Sequence, residues 1–352
     1  MMRAAMRNDW RTTLPERLYL DHAATTPVLP EARAAMAEGL ARWANPSSPH
    51  AEGRAARAAL EEARGRIAAA LGWTGALIFT SGASEALAIA LTRARAARRF
   101  VSAVEHDAVL RCAPDAVRLG VDAGGIVEGR EGEGLFAVQH VNNETGVIQP
   151  LARIEGGLLL ADCAQSAGKL PLPDADVIAI SAHKLGGPPG IGALLVRDLA
   201  TLAPSGGQEQ GYRPGTENLP AILGFAAALD AASAWMDRAA ALRARLESAI
   251  AAEVIASQSL RIPTIGAYRM AGVAATAQLI QFDLAGIAVS AGSACSSGSM
   301  KPSHVLAAMG IPEGAAREVI RVSFGPATSE ADIDRFAAEW TRIAERARVR
   351  AA

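Results

Sequence analysis

Short apolar runs with the length of strands recur between alanine-rich runs with the length of helices across the first two thirds of this chain. Ala76 to Thr80 reads as a strand and Ser84 to Arg95 as a helix. Phe100 to Val104 reads as the next strand, and a short helix opens at Asp107. Leu135 to Val141, Gly157 to Ala161 and Ala175 to Ile180 follow as further strands. Continuous apolar runs of this length suit strands covered on both faces. Ile191 to Val196, close behind a Gly-Pro-Pro-Gly turn, is expected to pair antiparallel with its predecessor. The pattern predicts an α/β fold with a mostly parallel sheet between two layers of helices.

A chain of 352 residues exceeds what one hydrophobic core usually supports. A long helical region from about Leu219 to Val254 is expected to link two units. The remainder, through Val319 to Phe324, reads as a smaller α+β unit. The division is placed at residues 20–235 for the large unit, with 1–19 and 236–352 forming the small one. The formal net charge of -1 gives no reason to expect nucleic acid as a partner. The arginines at 93, 95, 98 and 99 read as solvated helix faces. No apolar run reaches the ~18 residues that span a bilayer, and Met1 to Leu14 lacks the apolar core of a secretory signal. The cytoplasm is the expected compartment. Three cysteines without paired spacing argue against a disulfide framework or a metal site made by cysteines alone. Cys112 and Cys163, among apolar residues, are expected to be buried fillers.

Three residues carry the chemistry. Lys184 follows an apolar strand and precedes a Gly/Pro turn, a placement that suits a pocket at a strand's carboxyl end. Asp162 ends another apolar run, with Gln165 three residues on; a carboxylate there needs a partner to offset desolvation. A protonated pyridine nitrogen is one such partner, a structural ion pair another. Cys295 lies in Ser290-Ala291-Gly292-Ser293-Ala294-Cys295-Ser296-Ser297-Gly298-Ser299, a context for an exposed thiol on a loop able to travel. Carboxylate, amine and thiol together suggest pyridoxal-phosphate chemistry that ends on a cysteine, with Lys184 holding the cofactor as a Schiff base.

Other residues fit the same picture less specifically. Phe79-Thr80-Ser81-Gly82-Ala83-Ser84-Glu85 runs from a strand end into a helix, whose free N–H groups would suit a phosphate or a plain serine cap. Ser181, His183 and Thr216 could add donors. His106 could stack on a ring and shuttle protons, or be structural. Asn142 and Asn143 could bond a cofactor oxygen or cap a turn. Arg321, on an otherwise apolar strand, needs an anion, either a substrate carboxylate or a structural partner.

With these segments assembled, the chain resembles the cysteine desulfurases of the class V aminotransferase family. The matching runs are Tyr19-Leu20-Asp21-His22-Ala23-Ala24-Thr25-Thr26-Pro27, Asn45-Pro46-Ser47-Ser48-Pro49-His50, the Phe79–Glu85 run, Glu105-His106, and His140-Val141-Asn142-Asn143-Glu144-Thr145-Gly146. Next come Asp162-Cys163-Ala164-Gln165-Ser166, Ser181-Ala182-His183-Lys184, Arg213-Pro214-Gly215-Thr216-Glu217-Asn218, the Ser293-Ala294-Cys295 loop and Ile320-Arg321-Val322-Ser323. The resemblance implies a fold type I transferase dependent on pyridoxal 5'-phosphate, with a mostly parallel seven-stranded sheet in the large domain. It implies removal of sulfur from L-cysteine to give L-alanine and an enzyme-bound persulfide for a scaffold or carrier protein. Selenocysteine lyase, a small-amino-acid aminotransferase and a low-activity assembly subunit are the alternatives.

The resemblance also implies roles. Lys184 is the cofactor-bearing lysine, Asp162 the pyridinium partner, His106 the stacked acid/base and Cys295 the persulfide-forming nucleophile. Gln165 and Asn143 contact the ring's phenolic oxygen and the substrate region. Ala83, Ser84, Ser181 and His183 bind phosphate, with Thr216 reaching across from a second subunit of a homodimer. Arg321 clamps the substrate carboxylate. No resident metal is implied, and at most a transient iron–sulfur contact at Cys295. Ser84 stands where the family commonly has threonine. Only 18 residues separate Asn143 from Asp162, so the connecting helix, Leu151 to Glu155 at most, is expected to be truncated.

Overall fold

The apolar runs alternate their side chains between two covered faces, the pattern a sheet buried on both sides demands. A computed structural model describes residues 17–231, 235–292 and 302–351. A short strand, β1 (Leu18–Tyr19), precedes the main sheet of β2 (Ala76–Thr80), β3 (Arg99–Ser102), β4 (Val117–Leu119), β5 (Leu135–Gln139), β6 (Leu158–Asp162), β7 (Val177–Ser181) and β8 (Gly192–Val196). The order across the sheet is β2-β8-β7-β6-β5-β3-β4. Only β8 runs against its neighbours, antiparallel to both β2 and β7. The expected antiparallel strand is therefore in place.

One face packs Phe79, Phe136, Leu159, Ile178, Ile180 and Leu195 under α1 (Pro30–Ala41), α2 (Ala51–Ala70) and α5 (Leu219–Ala231). On α2 the buried residues Ala56, Ala59, Leu60, Ala63 and Ile67 recur at helical spacing and form the covering stripe. The intervening residues Ile78, Leu135, Ala137, Leu160, Val177, Ala179 and Leu194 face α3 (Ala83–Arg93) and α4 (Asp107–Cys112).

A second core gathers Leu18, Trp235, Leu242, Tyr268, Ile320, Val322 and Trp340, with Phe282 stacked on Phe336 at 4.8 Å between ring centres. Its elements are α6 (Met236–Ala249), the antiparallel set β9 (Glu253–Val254), β10 (Ile265–Arg269) and β12 (Val319–Ser323), α7 (Ala275–Leu284), and β11 (Ile287–Ala288), which pairs with β1. The long α10 (Glu330–Ala351) completes it, while two short helices, α8 (His304–Ala308) and α9 (Glu313–Ala316), pack against the first core.

Several expectations need correction. The long helix expected over 219–254 is two helices, α5 and α6, followed by β9. Residues 151–155 form no helix: Pro150 lacks an N–H donor, and Gly156 turns with φ of +75° straight into β6. Of the arginines at 93, 95, 98 and 99, Arg95 and Arg98 are exposed, whereas Arg93 and Arg99 are half-buried backbone ties, donating to the Tyr212 and Leu91 carbonyls. Cys163 is fully buried, as expected, but Cys112 is only half-buried, because the helix it ends is covered on one side.

A buried ion pair holds the segment that carries Arg213 and Thr216. Glu209 is buried at φ +48°, next to Gln210 at φ +58°, an unusual pair of left-handed residues without glycine. Its carboxylate accepts from both terminal nitrogens of Arg64, at 2.8 and 2.9 Å, and from the Phe79 N–H at 2.7 Å. Replacing Glu209 with alanine leaves Arg64 only Glu61 and the Leu77 carbonyl and orphans the Phe79 N–H, and should cost about 1–3 kcal/mol, read as a lowered denaturant midpoint. An unchanged midpoint would show that the strained turn supports itself.

Candidate active site

The strand register brings the chemistry to one edge. Gln139, Asp162 and Ala179 stand opposite one another on β5, β6 and β7. Ser181 and Thr80, the last residues of β7 and β2, both face Gly192 at the start of β8. Side chains that leave these parallel strands therefore emerge together, which is where open α/β sheets bind ligands. Gly192 makes the approach possible: a Cβ there would lie 2.4 Å from the Ile180 oxygen and 2.7 Å from the Gly82 Cα.

Lys184 ends a single turn of 3₁₀ helix after β7. Its Nζ donates to the carbonyls of Ala23 and Ala24 at 2.6 and 2.8 Å. Burial first, and then the Arg321 charge, push its pKa down to about 8, while Asp162 and Asp21 oppose them. Asp162 is buried, with Oδ1 accepting from the Ala164 N–H at 2.9 Å. Desolvation raises its pKa, opposed by that backbone bond, His106 and Lys184. Gln165 donates to the Ala23 carbonyl at 2.8 Å, and its buried Oε1 has no donor among the described residues.

His106 caps α4, with Nδ1 accepting from the Ala108 N–H at 3.1 Å. The proton of the neutral ring therefore sits on Nε2. Although its surface is exposed, partial desolvation holds its pKa below the ordinary imidazole value, with the Asp162 charge acting the other way. Glu105, just before it, is fully buried and accepts from the Gln139 N–H at 2.7 Å, in the place β3 vacates by ending at Ser102. Burial and the nearby Asp162 carboxylate hold Glu105 well above the usual carboxylate range.

At the start of α3, Gly82 is the cap residue at φ +151° and no side chain caps the helix. Ala83 is buried there and Ser84 exposed. The buried Ser181 lies beside Gly82. His183, also past β7, has Nδ1 3.1 Å from the Thr25 hydroxyl; burial and the charges of Lys184 and Lys169 push its pKa down to about 4. The α3 terminus and Ser181 thus share one polar corner, with His183 two residues past the end of β7. Thr216 is exposed, and its side chain makes no hydrogen bond among the described residues.

Arg321 enters from β12 and is buried. It donates to Asp21 Oδ1 at 2.7 Å and to the Asn143 carbonyl at 2.9 Å, while its Nε is buried without a partner among the described residues. The Asn142 side chain accepts from the N–H groups of Glu144 and Thr145, fixing the turn on which Asn143 sits. Cys295 lies outside the described residues.

Some functional neighbours carried no assignment in the sequence. Asp21 and the Ala23 and Ala24 carbonyls lie in a run that matched the family, yet their roles depend on folding against Arg321 and Lys184. Lys169 is half-buried with its pKa pushed down to about 7, by burial first and by Lys184 second. Nothing in its local sequence distinguishes it from a surface lysine.

The family model for class-V aminotransferases matches residues 18–336. The chain belongs to the class-V aminotransferase family. A cysteine desulfurase of Cereibacter sphaeroides is 37% identical, covering 91% of this chain and 94% of the relative. Cysteine desulfurase IscS 1 of Archaeoglobus fulgidus is 35% identical, covering 94% and 97%. The crystal structure of a NifS-like protein from Rickettsia africae superposes with a TM-score of 0.82 at 29% identity, over 94% of this chain and 99% of that one. Its mostly parallel seven-stranded sheet agrees with the fold expected of such enzymes.

The depressed Lys184 value has a direct test. Amine modification of Lys184 should rise with pH about a midpoint near 8. Because Asp162 raises that pKa, Asp162→Asn should move the midpoint down. A midpoint near the ordinary lysine value of about 10.4 would refute the burial.

Proposed function

We infer that this protein is a pyridoxal-phosphate-dependent cysteine desulfurase that takes sulfur from L-cysteine, leaving L-alanine and a persulfide on Cys295. The observation that carries the reading is the convergence of the Lys184 amine, the Asp162 carboxylate and the Arg321 guanidinium at one sheet edge, in a chain of this family. The residues present fit the cofactor. An uncapped helix start beside Ser181 suits a phosphate, a buried carboxylate suits a ring cation, and Gln165 Oε1 is an orphaned acceptor. When bound, pyridoxal phosphate supplies an electron sink that acidifies the Cα of an attached amino acid.

In this reading Lys184 holds the cofactor and, once released, moves the Cα proton. An amine with a pKa of about 8 is partly neutral near neutral pH, the state that accepts a proton. Asp162 would hold the ring nitrogen, whose positive charge would offset the carboxylate's desolvation. His106 offers the Nε2 proton, since Nδ1 is committed to Ala108. Asn143 would meet the substrate and Gln165 the ring oxygen. Arg321 takes the substrate carboxylate, its guanidinium already oriented by Asp21 and the Asn143 carbonyl, so less ordering is lost on binding.

The Cys295 thiolate attacks the substrate sulfur. The S–S bond forms as the Cβ–S bond breaks, that electron pair stays on carbon, and protonation gives alanine. The persulfide then passes to a protein acceptor. Thr216 belongs to the phosphate corner of a second copy of this chain, in keeping with its exposure and free hydroxyl. The division into a unit of residues 20–235 and one of 1–19 with 236–352 is part of the same proposal. It is supported by a second core running from Leu18 and Trp235 to Ile343.

The decisive assay is alanine and sulfide from L-cysteine, with and without a reductant. Cys295→Ser should abolish both products while Lys184 keeps the cofactor, detected by mass spectrometry after borohydride reduction. Sulfur release that persists in this variant would refute the assignment. Arg321→Lys loses the forked donor and about 1.5–3 kcal/mol of charged hydrogen bonding, roughly 10- to 100-fold in kcat/KM for L-cysteine. A change confined to sulfur transfer, with amino-acid binding intact, would place Arg321 elsewhere in the mechanism.

A further inference from the structure

The two ends of the cysteine-bearing segment meet at a side chain that the desulfurase mechanism does not use. Residues 293–301 carry Cys295, and Gly292 and Pro302 flank them. Glu144, from the turn after β5, is buried between these ends. Its Oε2 accepts from the Ser303 hydroxyl at 2.5 Å. On the other side it lies against Gly292 so closely that a Cβ there would come within 2.1 Å of the same oxygen. A single carboxylate oxygen thus touches both ends.

We propose that Glu144 is the positioning residue for the sulfur-accepting segment, setting where its two ends leave the protein. Each end has a second tie to a different part of the site. Before the segment, Ser290 exchanges backbone hydrogen bonds with Arg321. After it, His304 Nε2 bonds the Glu105 carbonyl at 2.8 Å, beside His106. The Ser303 hydroxyl also accepts from the Leu306 N–H at 3.1 Å, so the oxygen that meets Glu144 caps α8 as well. Glu144 itself is fixed, because its N–H donates to the Asn142 side chain, one residue from Asn143. A cavity of about 130 Å3 lined by Ala291, Gly292, Pro302, Ser303 and Leu306 adjoins the two ends. Glu144 thereby links the turn bearing Asn143 to the chain that delivers the thiol.

The inference rests on Cys295 being the sulfur acceptor, and the test separates the two. Wild type, Glu144→Ala, Glu144→Gln, Ser303→Ala and the Glu144→Ala/Ser303→Ala double variant are compared in three measurements. These are amide hydrogen exchange at Leu306, the absorbance change of the bound cofactor on adding L-alanine or L-cysteine, and single-turnover persulfide on Cys295 by mass spectrometry. Glu144→Ala should speed Leu306 exchange and slow persulfide formation by about tenfold or more, the scale of a misplaced reacting group. The amino-acid absorbance change should stay within about twofold. Glu144→Gln, which keeps the size and a carbonyl acceptor, should restore most of the rate. In persulfide formation the double variant should be no worse than Glu144→Ala, because both changes break the Glu144–Ser303 bond, whereas Ser303→Ala alone also removes the Leu306 cap.

Wild-type exchange and persulfide rate in Glu144→Ala would overturn the proposal. So would additive effects on the persulfide rate in the double variant, or equal loss of the absorbance change, which would put Glu144 at the cofactor. If Glu144→Ala does not fold, Ser303→Ala must show the same selective loss or the proposal falls. Absence of a Cys295 persulfide in wild type would sink the desulfurase reading instead, while Leu306 exchange would still decide whether Glu144 holds the ends.

Discussion

The hydrogen-bonded register of β5, β6 and β7 is the constraint on which the rest depends. Because these strands run parallel, their carboxyl ends lie side by side, and the residues that leave them share one edge. A one-residue slip in β6 would turn Asp162 to the opposite face and leave a carboxylate among the apolar side chains under α1, α2 and α5. The apolar side chains on both faces oppose such a slip, since each strand offers alternate residues to a different helical layer. The core under the helices and the chemistry at the edge are therefore one structural fact.

Around that edge, buried charges answer one another. Arg321 is held by Asp21 and the Asn143 carbonyl, Lys184 by the Ala23 and Ala24 carbonyls, and Glu105 spans the gap between β3 and β5. Few of these contacts are local in sequence: the segment around residues 21–25 meets Lys184 and Arg321 from about 160 and 300 residues away. Desolvation moves Lys184 down and Asp162 up, both toward the neutral forms, so that each gains from a bound partner of opposite charge. Such a site is prepared for a ligand that carries both a cationic ring and anionic groups.

Much of the fold was legible in the chain because strand-length apolar runs and helix-length alanine runs have different periods, and the runs ending at Thr80, Ala161 and Ile180 became β2, β6 and β7 to within a residue or two. Errors fell where local pattern is ambiguous. The alanine-rich stretch 219–254 reads as one helix because alanine suits helices anywhere, and its break before Met236 is a tertiary matter. Cys112 looked buried because its neighbours are apolar, yet its helix has one open side.

By itself the sequence determined the order of elements, the strand ends that carry Asp162 and Lys184, the lone arginine of an apolar strand and the serine- and glycine-rich setting of Cys295. These are written in residue type and spacing, which act over a few positions. Only the tertiary structure decided which groups answer them: Asp21 for Arg321, the Ala23 and Ala24 carbonyls for Lys184, Glu209 for Arg64, and Glu144 between Gly292 and Ser303. Partner choice among buried polar groups follows from which backbones the packed layers bring within hydrogen-bond reach, and no local pattern encodes that distance.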